Sequence, residues 1–238
     1  QYLNDYAVEE LGGIDNKPAR FKYLFYRIQD NAIKLLIHII KELSQSEFVP
    51  TAFELNVGKD IPAYNLTLDD GSSLSVRGSV DRVDVMDKNG EKCIRVIDYK
   101  TGTKTFKIGD IMYGLNLQML IYLSAIKANG KDYFGDNIVP CGVLYQPAKA
   151  KFVSSDDKND SEKNLNEFDK NLRMNGIILN NDSVIIGMDS TEKAKYIPVK
   201  KSSRGGYAGA DYLYDLSELG KIFKNIDDTL TEMAKTLH

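Results

Sequence analysis

Cysteine is almost absent from these 238 residues, and the scarcity removes several classes of protein at once. Cys93 and Cys141 are the whole complement. Both fall in strand-like stretches, and neither has metal-ligand spacing around it, so two packed thiols in a cytosolic protein is the simplest reading. No apolar run reaches the roughly 18 residues of a membrane span, and no basic-plus-apolar leader opens the sequence, so neither a span nor a signal peptide is indicated. No G-x-x-x-x-G-K-[ST] loop occurs, so ATP hydrolysis is not expected of this chain. A start at Gln1 rather than Met suggests an excised fragment. Basic excess is missing too: the net charge of −3 argues weakly against a nucleic-acid partner. Net charge is nevertheless a poor guide where acidic residues themselves hold a metal. What is present, 42% hydrophobic and 27% charged residues, is ordinary for one large globular domain or a domain with an appendage.

The most informative stretch runs from Gly78 to Gly102. Asn89-Gly90 between Val- and Ile-rich runs is the strongest short-range signal for a hairpin, because a type I′ turn needs φ > 0 at both central residues. With those two residues as the loop, Lys88 faces Glu91 and the register follows. Val83 then faces Val96 and Val85 faces Ile94, an apolar face suited to a core. Asp84 meets Arg95 on the other face as an opposite-charge pair. Asp81 faces Asp98 at one end of the apolar face, and Lys100 lies two residues further along that same face.

Side chains directly opposite in an antiparallel pair have Cβ atoms about 4.5–5.5 Å apart, where like charges repel. A shared proton or a bound divalent cation would hold two carboxylates together there. A lone Asp-x-Lys on a strand is usually a solvated surface pair. A structural hairpin, however, gains nothing from a second Asp opposite the first on its apolar face. Asp81, Asp98 and Lys100 therefore point to metal-dependent phosphodiester cleavage.

Elsewhere the apolar period changes with position. Leu24, Phe25, Ile28, Leu35, Leu36, Ile39, Ile40 and Leu43 form a helical stripe over about 19–45, read as core, with His38 as a packing residue. Thr51 to Val57 reads as a strand, followed by a turn-rich linker through Asp69-Asp70-Gly71. A helix is expected from about Ile108 to Ala128, with Gln118 and Tyr122 sharing a face, and a strand from Asn137 to Gln146. Helix, strand, hairpin, helix, strand is an α/β order with a mixed central sheet flanked by helices. Ser154 to Glu167 has no period; a helix at Ser161 to Asn175, a short apolar piece at Val184 to Met188 and a strand-like Ala194 to Lys200 follow. Lys200-Lys-Ser-Ser-Arg204-Gly-Gly206 reads as a basic hairpin tip, and Asp215-Leu-Ser-Glu218 as a capping-box start to a closing amphipathic helix.

Gly78, Asp81, Arg82 and Asp84, leading into Asp98-Tyr99-Lys100-Thr101-Gly102, resemble the PD-(D/E)xK nuclease motif in its RecB-like form, G-x-x-D-R-x-D followed by D-Y-K-T-G. Gln118-Met-Leu-Ile-Tyr122 matches the Q-x-x-x-Y motif of that branch. Arg20-x-x-Tyr23-Leu24, Phe48 to Glu54 and Pro140 to Tyr145 are similar to the C-terminal nuclease domain of AddB-type helicase-nuclease subunits, more loosely after Ala150.

The resemblance implies a restriction-endonuclease-like core over 1–150, with 151–238 as an extension of the same domain. It implies a metal-dependent DNA exonuclease in a cytoplasmic helicase-nuclease for double-strand break repair and recombination, paired with an AddA-like subunit. Asp81, Asp98 and Lys100 would be catalytic. Asp81, Asp98 and the Tyr99 carbonyl would bind Mg²⁺ or Mn²⁺, with Glu54 as an outer ligand. Gln118, Tyr122 and Arg82 would guide a single-stranded end or unwound duplex. Two family features are missing: an upstream metal-site His, and the four cysteines that hold an iron–sulfur cluster in the full-length relatives. A catalytically silent DNA-binding module of the same fold, and a stand-alone exonuclease of CRISPR adaptation or repair, remain open alternatives.

Overall fold

The computed structural model describes residues 2–102, 117–148, 169–203 and 205–236. In chain order its elements are α1 (Tyr2–Glu9), α2 (Ala19–Leu43), β1 (Val49–Val57), β2 (Tyr64–Thr67), β3 (Ser73–Val76), β4 (Gly78–Lys88), β5 (Glu91–Lys100), α3 (Gln118–Asn129), α4 (Lys131–Phe134), β6 (Ile138–Pro147), β7 (Asn175–Leu179), α5 (Asp182–Met188), β8 (Lys200–Lys201), β9 (Tyr207–Ala208), β10 (Leu213–Tyr214) and α6 (Leu216–Thr236). Six strands form one sheet in the order β1-β4-β5-β6-β7-β10, and β2–β3 and β8–β9 are separate two-stranded ribbons. β5 runs parallel to β6 and β7 parallel to β10, whereas β1, β4 and β5, and also β6 and β7, pair antiparallel. This is the mixed α/β sheet expected from the sequence.

The hairpin at the centre of the sheet follows from its turn. Asn89 and Gly90 have φ of 51° and 79°, the left-handed pair a type I′ turn requires. The ladder then runs from Lys88↔Glu91 to Arg82↔Ile97 without a slip. Strand β5 lies inside the sheet between β4 and β6, and both faces of the hairpin are covered. Helix α3 packs on one face against β4, β5 and β6. The end of α2 and helix α5 cover the other, where Glu42 reaches Arg82 and Arg95, and Gly187 leaves no room for a Cβ beside Met86 Sδ. Val83, Ile94, Val96 and Ile97 are completely buried, each worth about 1.5–3 kcal/mol of apolar burial.

Several expectations are corrected. The apolar stripe of α2 is not core: Leu24, Ile28, Leu36 and Ile40 are 43%, 64%, 58% and 65% exposed. What α2 buries is His38 and Glu42. Helical period says that a face wants cover, not that this chain supplies it. The linker around Asp70 is the turn of the β2–β3 hairpin. Asn175 begins a strand instead of ending a helix, and Gly176 is required there because a Cβ would lie 2.0 Å from the Val143 carbonyl oxygen. Val184–Met188 is helical, capped by Asn181 through Ser183 N and Val184 N. Among the described residues of the strand-like 194–200 stretch and its basic continuation, Lys200 and Lys201 pair with Ala208 and Tyr207. The capping box is as expected: Glu218 N donates to Asp215 Oδ1 at 2.8 Å and Asp215 N to Glu218 Oε2 at 2.9 Å. The 108–116 part of the expected helix, the 154–167 stretch and Arg204 lie outside the described residues.

Candidate active site

The ladder between β4 and β5 ends at Arg82↔Ile97, one residue short of the level of Asp81 and Asp98. There a side chain replaces the main-chain acceptor: Asp81 Oδ2 accepts from Tyr99 N–H at 2.8 Å. Asp98 takes a different partner, Lys100 Nζ, 2.6 Å from its Oδ2. Two carboxylates at one strand end are thus each answered separately, one by a peptide dipole and one by an ammonium. The Asp98 side chain is 11% exposed and that of Lys100 32%, so the pair opens to solvent along the lysine.

Parallel pairing of β5 with β6 sets Tyr145 beside Asp98. Lys100 Nζ lies 5.7 Å from the centre of the Tyr145 ring, within cation–π range. Burial, and secondarily the Asp98 charge, push the Tyr145 hydroxyl up to about 12. Tyr145 therefore stays neutral and forms an apolar wall on one side of the acid.

The first strand brings Glu54 level with Asp81, between the pairs Phe53↔Arg82 and Leu55↔Val80. Glu54 has φ of 50°, a left-handed conformation that costs a non-glycine residue on the order of 1 kcal/mol or more. Its carboxylate is exposed and accepts from Ser79 Oγ at 3.2 Å. Among the described residues no three His, Cys, Asp or Glu side chains gather into one cluster. The donors at hand for a hard divalent ion are nevertheless of the right type: carboxylate oxygens at Asp81 and Asp98 and a strand carbonyl at Tyr99. Ions of this class keep several waters, so two acids and main chain fit a magnesium-like ion better than a dedicated cage would.

Helix α3 contributes Gln118 and Tyr122. Tyr122 is 5% exposed, and its hydroxyl accepts from Gln118 Nε2 at 3.2 Å. A Cβ at Gly78 would come within 1.9 Å of that hydroxyl, which explains glycine at the head of β4. Tyr122 therefore acts by packing and by holding Gln118, whose side chain is the exposed one.

Arg82 needs a correction. Instead of facing a DNA strand it is 1% exposed, on the sheet face opposite Lys100. Its Nη2 donates to Asp84 Oδ2 at 2.9 Å, and its Nε lies 2.9 Å from Asp84 Oδ1 as an ion-pair contact. Its Nη1 donates to the Tyr99 hydroxyl at 3.0 Å. Arg95 donates to the same Asp84 through Nε at 2.9 Å and to Glu42 Oε1 through Nη2 at 2.7 Å, with its guanidinium 4.9 Å from the Phe48 ring. Two arginines and two acids thus form a neutral buried network directly behind the Asp98–Lys100 strand.

A profile of the PD-(D/E)XK nuclease superfamily matches residues 6–232. The chain belongs to that superfamily. Among proteins it is similar to, a subunit of the "ATP-dependent helicase/deoxyribonuclease" of Clostridium novyi is 35% identical over 185 residues, 77% of this chain and 16% of the relative. The subunits of the same name from Clostridium botulinum (strain Loch Maree) and Clostridium tetani are each 33% identical, over 93% and 95% of this chain and 20% of their own length. This PD-(D/E)XK chain thus spans a fifth or less of the curated relatives it matches.

Two participants are not apparent from sequence. Glu42 sits in an apolar helical run and belongs to no motif. The signal lies in the hairpin: Arg82, Asp84 and Arg95 on one face leave a positive charge over, so a covering element has to bring an acid. Tyr145 reads only as strand interior; parallel pairing of β5 with β6 is needed to put it next to Asp98.

Proposed function

We propose that this PD-(D/E)XK chain is the metal-dependent DNA nuclease domain, an exonuclease, of an AddB-like helicase-nuclease that works in cytoplasmic double-strand break repair and recombination. The observation that carries the reading is the Asp98–Lys100 pair at 2.6 Å, with Asp81 at the adjoining strand end and bound to the intervening Tyr99 N–H. Asp81, Asp98 and the Tyr99 carbonyl would hold Mg²⁺ or Mn²⁺, and Glu54, level with Asp81, would serve as an outer ligand. When bound, such an ion polarises a phosphoryl oxygen and lowers the pKa of its water.

The chain's own groups do the remainder. Lys100 brings a positive charge that orients water and offsets charge on the scissile phosphate, and Asp98 fixes that ammonium in place. Tyr145 excludes water from one side of Asp98. Gln118, exposed at the start of α3 and held by Tyr122, is the group in position to touch a strand. DNA as substrate and a partner subunit are inferred from the relatives' names, and an AddA-like partner from the motif resemblance. Cys93 and Cys141 are both buried in the sheet, so an iron–sulfur cluster would need cysteines from elsewhere in a longer polypeptide. No helix among the described residues is long and apolar enough to cross a membrane.

The test is a divalent-ion titration with single-stranded DNA in the full polypeptide, comparing wild type with Lys100→Ala. Cleavage lowered by about 100-fold or more with DNA binding kept supports the enzyme. Binding without cleavage by either protein selects the silent DNA-binding module instead.

A further inference from the structure

Tyr99 stands between Asp98 and Lys100 and is tied down on both sides of β5. Alternation along the strand sends its side chain to the face opposite those two. On that face its hydroxyl accepts from Arg82 Nη1 at 3.0 Å. On the near side its main-chain N–H donates to Asp81 Oδ2 at 2.8 Å. Arg82 is not free to adjust, because Nη2 donates to Asp84, whose carboxylate also lies 2.9 Å from Nε as an ion pair, and Asp84 is shared with Arg95, which is anchored on Glu42. A guanidinium is a rigid planar fork, so holding Nη2 on Asp84 inside a buried ion pair limits where Nη1 can point.

We propose that Tyr99 is the positioning residue of the site, and that the buried Glu42–Arg82–Asp84–Arg95 network exists to hold it. The backbone angles of Tyr99 decide how Asp98 and Lys100 stand relative to each other and where the Tyr99 carbonyl points. With its hydroxyl held behind the sheet and its N–H held by Asp81, the range of those angles is narrowed. Stability alone does not account for the network: apolar residues of similar volume cover a sheet face as well as buried ion pairs do, and often better. What the charges add is a fixed direction. This inference rests on the reading of Asp81 and Asp98 as a divalent-ion site.

The test removes one oxygen. Tyr99→Phe keeps the ring and the N–H but gives Arg82 Nη1 nothing to hold. In the full polypeptide, Mn²⁺ binding is titrated by electron paramagnetic resonance, and cleavage of single-stranded DNA is measured alongside. Ile185→Val, a buried truncation on α5, is the control for a general loss of Tm. Tyr99→Phe is expected to weaken Mn²⁺ binding and to lower kcat, each by about tenfold, with KM for DNA unchanged. Ile185→Val is expected to lower Tm and leave the Mn²⁺ affinity alone. If Tyr99→Phe lowers only Tm, with wild-type Mn²⁺ affinity and kcat, the positioning role is overturned while the nuclease reading stands. If wild type itself neither binds Mn²⁺ nor cleaves, the nuclease reading fails and this role fails with it.

Discussion

The β4–β5 hairpin encloses two arginines and an aspartate with almost no solvent contact, whereas α2 leaves Tyr23, Ile28, Leu36 and Ile40 more than half exposed. Charge lies where apolar side chains are expected, and apolar side chains lie where charge is expected. The inversion in the hairpin is closed within the chain: two positive and two negative groups meet at 2.7–3.5 Å. The inversion in α2 is open, since His38 and Glu42 are the residues it buries. A buried charge has to find its partner locally because desolvation is expensive. An exposed apolar face costs far less and carries no such demand.

Asp84→Asn should break the closed side of this contrast most severely. Both arginines lose their shared charge, and removing one partner from a buried ionic group costs about 3–5 kcal/mol, read as a fall in the denaturant midpoint. Asp84→Leu combined with Arg95→Met leaves Arg82 with Glu42 and should recover part of the loss. No recovery would mean that the network is more than paired charge.

Gly78→Ala tests the packing that joins the hairpin to α3. The added Cβ would sit 1.9 Å from the Tyr122 hydroxyl, and overpacking of this kind costs about 1–3 kcal/mol. Adding Tyr122→Phe removes the closest atom and should return some of that stability in a double-mutant cycle.

His38 sharpens the comparison on the α2 side. Its Nδ1 is 3.4 Å from Asp169 Oδ1, and burial outweighs that carboxylate and holds its pKa below the ordinary 6.5. The folded state therefore takes up a proton less readily than the unfolded chain. Its contribution to stability is present above about pH 6.5 and is lost as pH falls through the lower folded value. Thermal melts should show Tm declining over that acid range, and His38→Gln should flatten the decline.

Ile28→Lys, at the open end of the contrast, should change stability least, within about 0.5 kcal/mol. A loss of several times that in chemical denaturation would mean that the exposed face of α2 is covered in solution.

The hairpin is legible because its information is local. Asn89-Gly90 specifies the turn, the turn specifies the register, and the register places Asp84 against Arg95 and aligns Asp81 with Asp98. Tyr145 and Glu42 are not legible for the opposite reason. Each reaches the hairpin from a distant part of the chain, through a parallel pairing and a helix crossing that no short-range pattern encodes. The β7 strand escapes a sequence reading because Gly176-Ile-Ile-Leu179 is too short to show a period. The stripe of α2 reads correctly as amphipathic and wrongly as core, since periodicity reports a face and not its neighbour.

By itself the sequence determined the turn, the strand register, the capping box at Asp215 and the spacing that sets Asp98 and Lys100 on one strand face, because each depends on residues a few positions apart. Only the tertiary structure decided that Arg82 is buried, that Tyr99 is pinned behind the sheet, and that Asp81 answers a peptide N–H while Asp98 answers Lys100. Those outcomes depend on which groups burial brings together, and desolvation, which selects among partners, acts only once the chain has closed over them.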